Sequence, residues 1–299
     1  MKKKILALSL CVAMLAIAIV GGTLAYFTDT TDEVENTFTM GKVKIDLDET
    51  KVTVDAEGSM TVGTDKVKTN DYSIASIVPG RVFSKDPTIH VEAGSEEAYI
   101  FLDMTFNKSS QLIWVMAADA SADSSIDFTI FNNDGTLNNS FVNGGKFSAS
   151  QALKAMLGNK PAFQATVNKW FTGIVHEKWE LCDVLFDGNK VTFRFAYKGD
   201  TTENIYTVNT KNTGILDIKF MDSFQMPSSV TQEMIENGTA VGGMTNNFNT
   251  TGSNFELTFT AYAIQAAEIG VGAANDAAKM AAAYKAMFNN ADMGTFFTP

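Results

Sequence analysis

An all-β fold, an antiparallel β-sandwich or barrel interrupted by a helix-containing insertion and followed by a C-terminal helix, is what this sequence predicts. Three observations carry the expectation. Apolar and polar residues alternate with a period of two at both ends of the chain, Gly, Asn, Asp and Pro separate those short runs, and helix-start signals fall in the stretch between them. With 299 residues, 45% hydrophobic and 11% aromatic, the chain can build a sizeable core.

The first element is a leader. Lys2, Lys3 and Lys4 precede an almost wholly apolar run from Ile5 to Val20, closed by Gly21-Gly22. This is the layout of a signal peptide over residues 1–25, and the small residues Thr23 and Ala25 place the cut between Ala25 and Tyr26. No charge occurs between Ile5 and Phe27, so the same stretch is also long enough to act as an uncleaved anchor. Downstream no second long apolar run follows, so the membrane is expected to matter only for the precursor. Without residues 1–25 the chain holds 20 basic against 34 acidic residues, a net charge of −14. Such a surface repels nucleic acid and anionic headgroups and excludes nucleic-acid binding as a function class. Cys11 lies in the leader and Cys182 is alone thereafter, so no intrachain disulfide is available to the mature chain.

The strands follow by alternation. Val43, Ile45 and Leu47 share one side, with Lys44, Asp46 and Asp48 on the other; Ile89 and Val91 oppose Thr88, His90 and Glu92. Ala98, Ile100, Leu102, Met104 and Phe106 form one face of the next run, and the opposite face carries Tyr99, Phe101, Asp103 and Thr105, which marks a central strand. Phe193 and Phe195 alternate with Thr192 and Arg194. Leu216, Ile218 and Phe220 alternate with Asp217 and Lys219, and Phe255, Leu257 and Phe259 with Glu256, Thr258 and Thr260.

Residues 26–270 therefore read as one sandwich domain with an insertion at 109–190, and 271–299 as a helical tail. Within the insertion Ser148 caps a short helix that Gly158 ends, and 161–171 is a second. Ser229 to Gln232 opens a third, ended by Gly238. In the tail Met280, Tyr284, Met287 and Phe288 recur at helical spacing, suited to docking on the sandwich or on a partner.

Catalytic signals are sparse, and no catalytic, cofactor or metal residue is assigned. The chain has two histidines. His90 reads as a surface residue on the polar side of a strand. His176-Glu177-Lys178-Trp179-Glu180 lacks the second histidine four residues on that a common zinc-protease helix uses. Cys182 reads as a buried, inert thiol. Asp119, Asp123 and Asp127, spaced by four, do not match a calcium loop and read as solvated loop acids.

Four segments resemble the TasA/camelysin (CalY) family of exported Firmicute proteins. They are Gly21-Gly22-Thr23-Leu24-Ala25-Tyr26-Phe27-Thr28-Asp29, Asn36-Thr37-Phe38-Thr39-Met40-Gly41-Lys42-Val43-Lys44-Ile45, Val78-Pro79-Gly80-Arg81 with Lys85-Asp86-Pro87-Thr88-Ile89, and Phe259-Thr260-Ala261-Tyr262-Ala263-Ile264-Gln265-Ala266. The resemblance implies a jelly-roll-like sandwich, processed by a SipW-type signal peptidase and located at the cell surface or in the extracellular matrix. It further implies assembly into biofilm fibres with itself or related matrix proteins, by addition of an N-terminal strand to a neighbouring subunit. Phe27, Val34 and Phe38 are the apolar candidates of that arm; pairing of the arm within its own sheet is the competing expectation. A camelysin-type cell-surface metalloprotease and a surface adhesin using the insertion stand as alternatives.

Overall fold

The computed structural model describes residues 28–30, 43–55, 59–68, 79–199, 207–210, 213–231, 233–234, 256–267 and 269–289. The run Ala98–Phe106 forms a nine-residue strand with nearly every side chain buried, and the other layers assemble on its two faces. In chain order the strands are β1 (Thr28–Thr30), β2 (Ile45–Val54), β3 (Met60–Val67), β4 (Val82–Ser84), β5 (Thr88–Val91) and β6 (Ala98–Phe106). After the insertion come β9 (Trp179–Phe186), β10 (Val191–Tyr197), β11 (Leu216–Lys219), β12 (Ser223–Gln225) and β13 (Leu257–Gln265). The insertion holds α1 (Ser109–Ala122), a small hairpin of β7 (Val142–Asn143) and β8 (Lys146–Phe147), α2 (Ala149–Gly158) and α3 (Lys160–Trp170). The last helix is α4 (Asp276–Met287).

Two antiparallel sheets make the sandwich, one ordered β1-β13-β6-β10-β9 and the other β11-β5-β2-β3. Strand β6 is central, as its two apolar faces predict. Its inner face, Ile100, Leu102, Met104 and Phe106, joins Phe193 and Phe195 of β10, Ala261 and Ala263 of β13, Ile45 of β2, and Ile89 and Val91 of β5 in one core. Each such side chain contributes about 1.5–3 kcal/mol on burial. Its outer face, with Tyr99 and Phe101, lies in a second apolar cluster with Ala277, Met280, Ala283 and Tyr284 of α4. The tail helix thus docks on its own sandwich.

The insertion is built into the main core. Leu112 to Ala118 of α1, Leu153 and Met156 of α2, and Phe163, Val167 and Trp170 of α3 all belong to the same cluster as the inner strand faces. Helix α2 starts where Ser148 accepts the Gln151 N–H, and α3 where Asn159 accepts the Ala162 N–H with Pro161 in the first turn. Helix α1 has no side-chain cap; its start is tied instead to the β9–β10 turn, through Ser109 N–H to Asn189 O and Ser109 Oγ–H to Gly188 O. Strand β9, inside the 109–190 range, is an edge strand of the five-stranded sheet. The helix expected from Ser229 falls mostly outside the described residues; within them, Thr231 Oγ1 accepts the Met234 N–H.

One expectation is corrected here. Asp119 is not a solvated loop acid: it lies in α1 with 1% of its surface exposed. Lys169 Nζ is 3.0 Å from its Oδ2 and 2.9 Å from Asp123 Oδ2, and Trp170 Nε1 donates to Asp119 at 3.1 Å. A buried carboxylate needs such partners, and α3 supplies them from fifty residues on. Asp127 is exposed, as expected.

Gly173, between α3 and β9, sets the closest backbone approach. It accepts the Asp222 N–H at 2.9 Å, and a Cβ there would overlap the Ser223 carbonyl. Gly173→Ala should therefore push the β12–β4 ribbon off the core and cost about 1–3 kcal/mol, read as a lower urea midpoint; an unchanged midpoint would mean that the ribbon shifts freely.

Candidate functional site

The site suggested by the arm is an edge of the five-stranded sheet. Strand β13 pairs along its whole length with β6, from Leu257 opposite Phe106 to Gln265 opposite Ala98. On its other side β1 pairs antiparallel with its C-terminal third, Thr28 opposite Ile264, Asp29 opposite Ala263 and Thr30 opposite Tyr262. Alongside residues 257–260 no described strand pairs on that side. Thr28–Thr30, the first described residues, thus add to the sheet within their own chain. Ala25, Tyr26, Phe27, Val34 and Phe38 lie outside the described residues.

The platform beneath this edge is fixed by a buried charge pair. Asp103 of β6 and Arg194 of β10 stand opposite each other and form a two-pronged ion pair, Nε to Oδ1 at 2.6 Å and Nη2 to Oδ2 at 2.7 Å. Both are buried. The Phe288 ring sits 3.5 Å from the guanidinium carbon, with Tyr262 and Tyr284 at 5.6 and 5.7 Å. Burial disfavours the Arg194 charge, but the Asp103 hydrogen bonds and charge outweigh it and hold the proton more firmly than usual. Tyr284 of α4 donates to Asp183 Oδ2 at 2.5 Å and lies 3.4 Å from Arg194 Nη1. Burial raises its phenol first, and the bond to Asp183 adds to this. Tyr262 is pushed up to about 12, mainly by burial and then by the Asp103 charge.

Asp183 reaches this face because β9 is irregular. Arg194 pairs with Asp183 but Phe195 pairs with Leu181, so Cys182 is the extra residue of a bulge. Trp179 and Leu181 point into the core, and so do Val184 and Phe186, whereas Cys182 belongs to the cluster under α4. Cys182 is fully buried, and burial pushes its thiol well above the usual range. Its burial is as expected.

Helix α4 and β1 share β13. Ile264 and Tyr262, the register partners of Thr28 and Thr30, pack with the α4 cluster, and the Tyr262 and Phe288 rings meet edge-on at 5.2 Å. Helix α4 itself begins at Asn275, which accepts the Ala278 N–H, with Asp276 in its first turn.

Neither histidine lies in a metal cluster. His176 is in a turn leading into β9, its Nε2 donating to Phe171 O at 2.9 Å, so the helical spacing that would align it with Glu180 does not exist. Burial raises the Glu180 carboxyl above its usual range. His90 is a correction, for it is half-buried and held between acids: Nδ1 to Asp217 Oδ1 at 2.6 Å, Nε2 to Asp48 Oδ2 at 2.9 Å. Among the described residues no group of three or more His, Cys, Asp or Glu is placed to hold a metal ion, so the donor set does not fit one there.

Residues 1–70 match the family model described as camelysin metallo-endopeptidase. Over those residues the chain is similar to the camelysin family. The match includes strands β1 to β3 and leaves the insertion and α4 outside it. No curated protein and no solved structure matches the chain.

The Asp103–Arg194 pair was within reach of the sequence, because an acid on the second apolar face of a central strand needs a cation opposite it. Asp103→Ala should leave Arg194 buried and unpaired and cost about 3–5 kcal/mol, whereas Tyr284→Phe should cost about 1–3 kcal/mol through the orphaned Asp183. Denaturant titration of both variants checks the order; equal losses would remove the ion pair from its central place.

Proposed function

We propose that this protein is an exported structural component of the extracellular matrix. In this reading it is cut after Ala25 by a SipW-type signal peptidase and joins copies of itself or related matrix proteins by adding its N-terminal strand to a neighbour's sheet. The observation that supports this is the position of β1. The strand begins three residues after the expected cut and lies at a sheet edge on β13, joined by only three residue pairs. A strand so short and so placed can be replaced by the same strand of a neighbour, because main-chain hydrogen bonds supply the affinity in either case. Asp29, Asp32, Glu33 and Glu35 bring negative charge to a chain of net −14, so acid and salt should speed growth of the fibre.

The test compares the chain beginning at Tyr26 with one beginning at Gly41, followed by electron microscopy. The Gly41 chain keeps every described strand except β1 and is expected to stay folded but form no filaments. Filaments at the same rate from both would end the strand-addition reading.

The family description names a metallo-endopeptidase, which is the source of a second reading, a cell-surface protease. Its sharpest probe is the double variant His176→Ala/Glu177→Ala. Casein cleavage by the mature chain that is chelator-sensitive and lost in the folded variant would establish the protease; cleavage equal in both samples would place it elsewhere.

A further inference from the structure

We propose that His90 is a pH-operated clasp that fastens the edge strand β11 to β2 across the intervening strand β5. Its basis is the placing of the imidazole, and it is independent of the strand-addition reading. In the four-stranded sheet β5 lies between β11 and β2, and His90 stands opposite Asp217 on one side and Asp46 on the other. The ring reaches Asp217 with Nδ1 and Asp48 with Nε2.

A carboxylate only accepts, so the 2.6 Å contact with Asp217 requires the proton on Nδ1. In the neutral ring Nε2 then turns a lone pair toward Asp48 Oδ2 at 2.9 Å, a repulsive contact. Protonation converts it to attraction. Nε2 and Asp48 Oδ1 are both shut off from solvent, and neither makes a geometrically sound hydrogen bond, so the link to Asp48 works by charge alone.

The remaining charges around the ring have partners elsewhere. On β2, Asp46 pairs with Lys68; just before β2, Lys44 pairs with Glu92, which follows β5; on β11, Lys219 pairs with Asp222. From β3, Lys66 lies 3.8 Å from Asp48 and 3.6 Å from Asp86. That lysine shares Asp48 without replacing the histidine.

The clasp matters because β11 is short, and beyond its ladder with β5 it is tied by the Trp179 indole N–H, which donates to Lys219 O at 3.0 Å. It has four residues and pairs with β5 alone, and of its side chains only Ile218 is buried. Were β11 to leave, β5 would become an open edge, which is a template for another chain. The sheet is thus closed in acid and loosened in alkali.

The sign follows from the neighbours. Burial lowers the His90 pKa, but the hydrogen bond to Asp217 and the nearby Asp48 and Asp217 charges raise it above 6.5 on balance. The contribution to β11 is full below the unfolded value and is lost as pH rises through the folded one.

Hydrogen exchange of the β11 amides in the mature chain tests this between about pH 5.5 and about pH 8.5, with intrinsic rates divided out and β10 as internal reference. Protection of β11 relative to β10 should fall in alkali by about tenfold for each pKa unit by which folding raises His90. In His90→Gln that pH response should vanish while β10 keeps its protection. Should the glutamine variant unfold, the ring signal of His90 in the unaltered chain decides instead, with His176 as comparison. A midpoint above 6.5 that falls in Asp217→Asn supports the clasp. A midpoint at or below 6.5, or an equal β11 response in both chains, overturns it.

Discussion

The requirement that β6 be covered on both faces governs this structure. A strand with apolar residues at nearly every position cannot leave either side to water, so one layer had to be a second sheet and the other something else. The second sheet covers Ile100, Leu102, Met104 and Phe106, and α4 covers Tyr99 and Phe101. The two coverings differ in kind. The inner layer is mostly apolar, with the Glu49–Lys85 pair at its margin, whereas the outer one encloses a carboxylate and a guanidinium that can stay buried only because each neutralises the other and aromatic rings surround them. That pair fixes the register of β6 against β10 more narrowly than interchangeable apolar contacts could.

From this the arrangement of the edge follows. Strand β13 is stationed between β6 and β1, and its alternate side chains serve both layers, Ala261 and Ala263 inward, Ile264 outward under α4. The surface on which β1 pairs is therefore anchored from behind by a tertiary contact. A covered β13 presents a straight, preorganised ladder of backbone groups, which favours pairing with any strand that arrives in register.

Much of this was legible in the sequence, for reasons that differ by element. Strand β6 could be read because both of its faces were apolar, and α2 because Ser148 and Gly158 punctuate it. Helix α1 could not, since its apolar residues run together from Leu112 to Ala118 with no stripe, and its start depends on the distant turn at Gly188 and Asn189 in place of a capping side chain. The burial of Asp119 was hidden for the same reason: its cation is Lys169, far along the chain. Strand β9 escaped because the bulge at Cys182 shifts its inward residues from Leu181 to Val184 and breaks the period of two. The polar positions Asp103, Arg194, His90 and Asp217 were placed on the correct sides of their strands, but which acid met which base depended on strand order, and that is a property of topology.

The pairing of Thr28 with Ile264 joins strands that are more than two hundred residues apart along the chain. Sheet closure of this kind is a long-range event, and the loop entropy must be met before the contact rewards it. A nascent or threading chain that has delivered everything up to β10 still has β6 as a bare edge, with Phe101 and Tyr99 uncovered, until the last residues arrive with β13 and α4. Folding is thereby deferred to the end of chain delivery, and any chain cut short before β13 keeps an open apolar strand that invites aggregation.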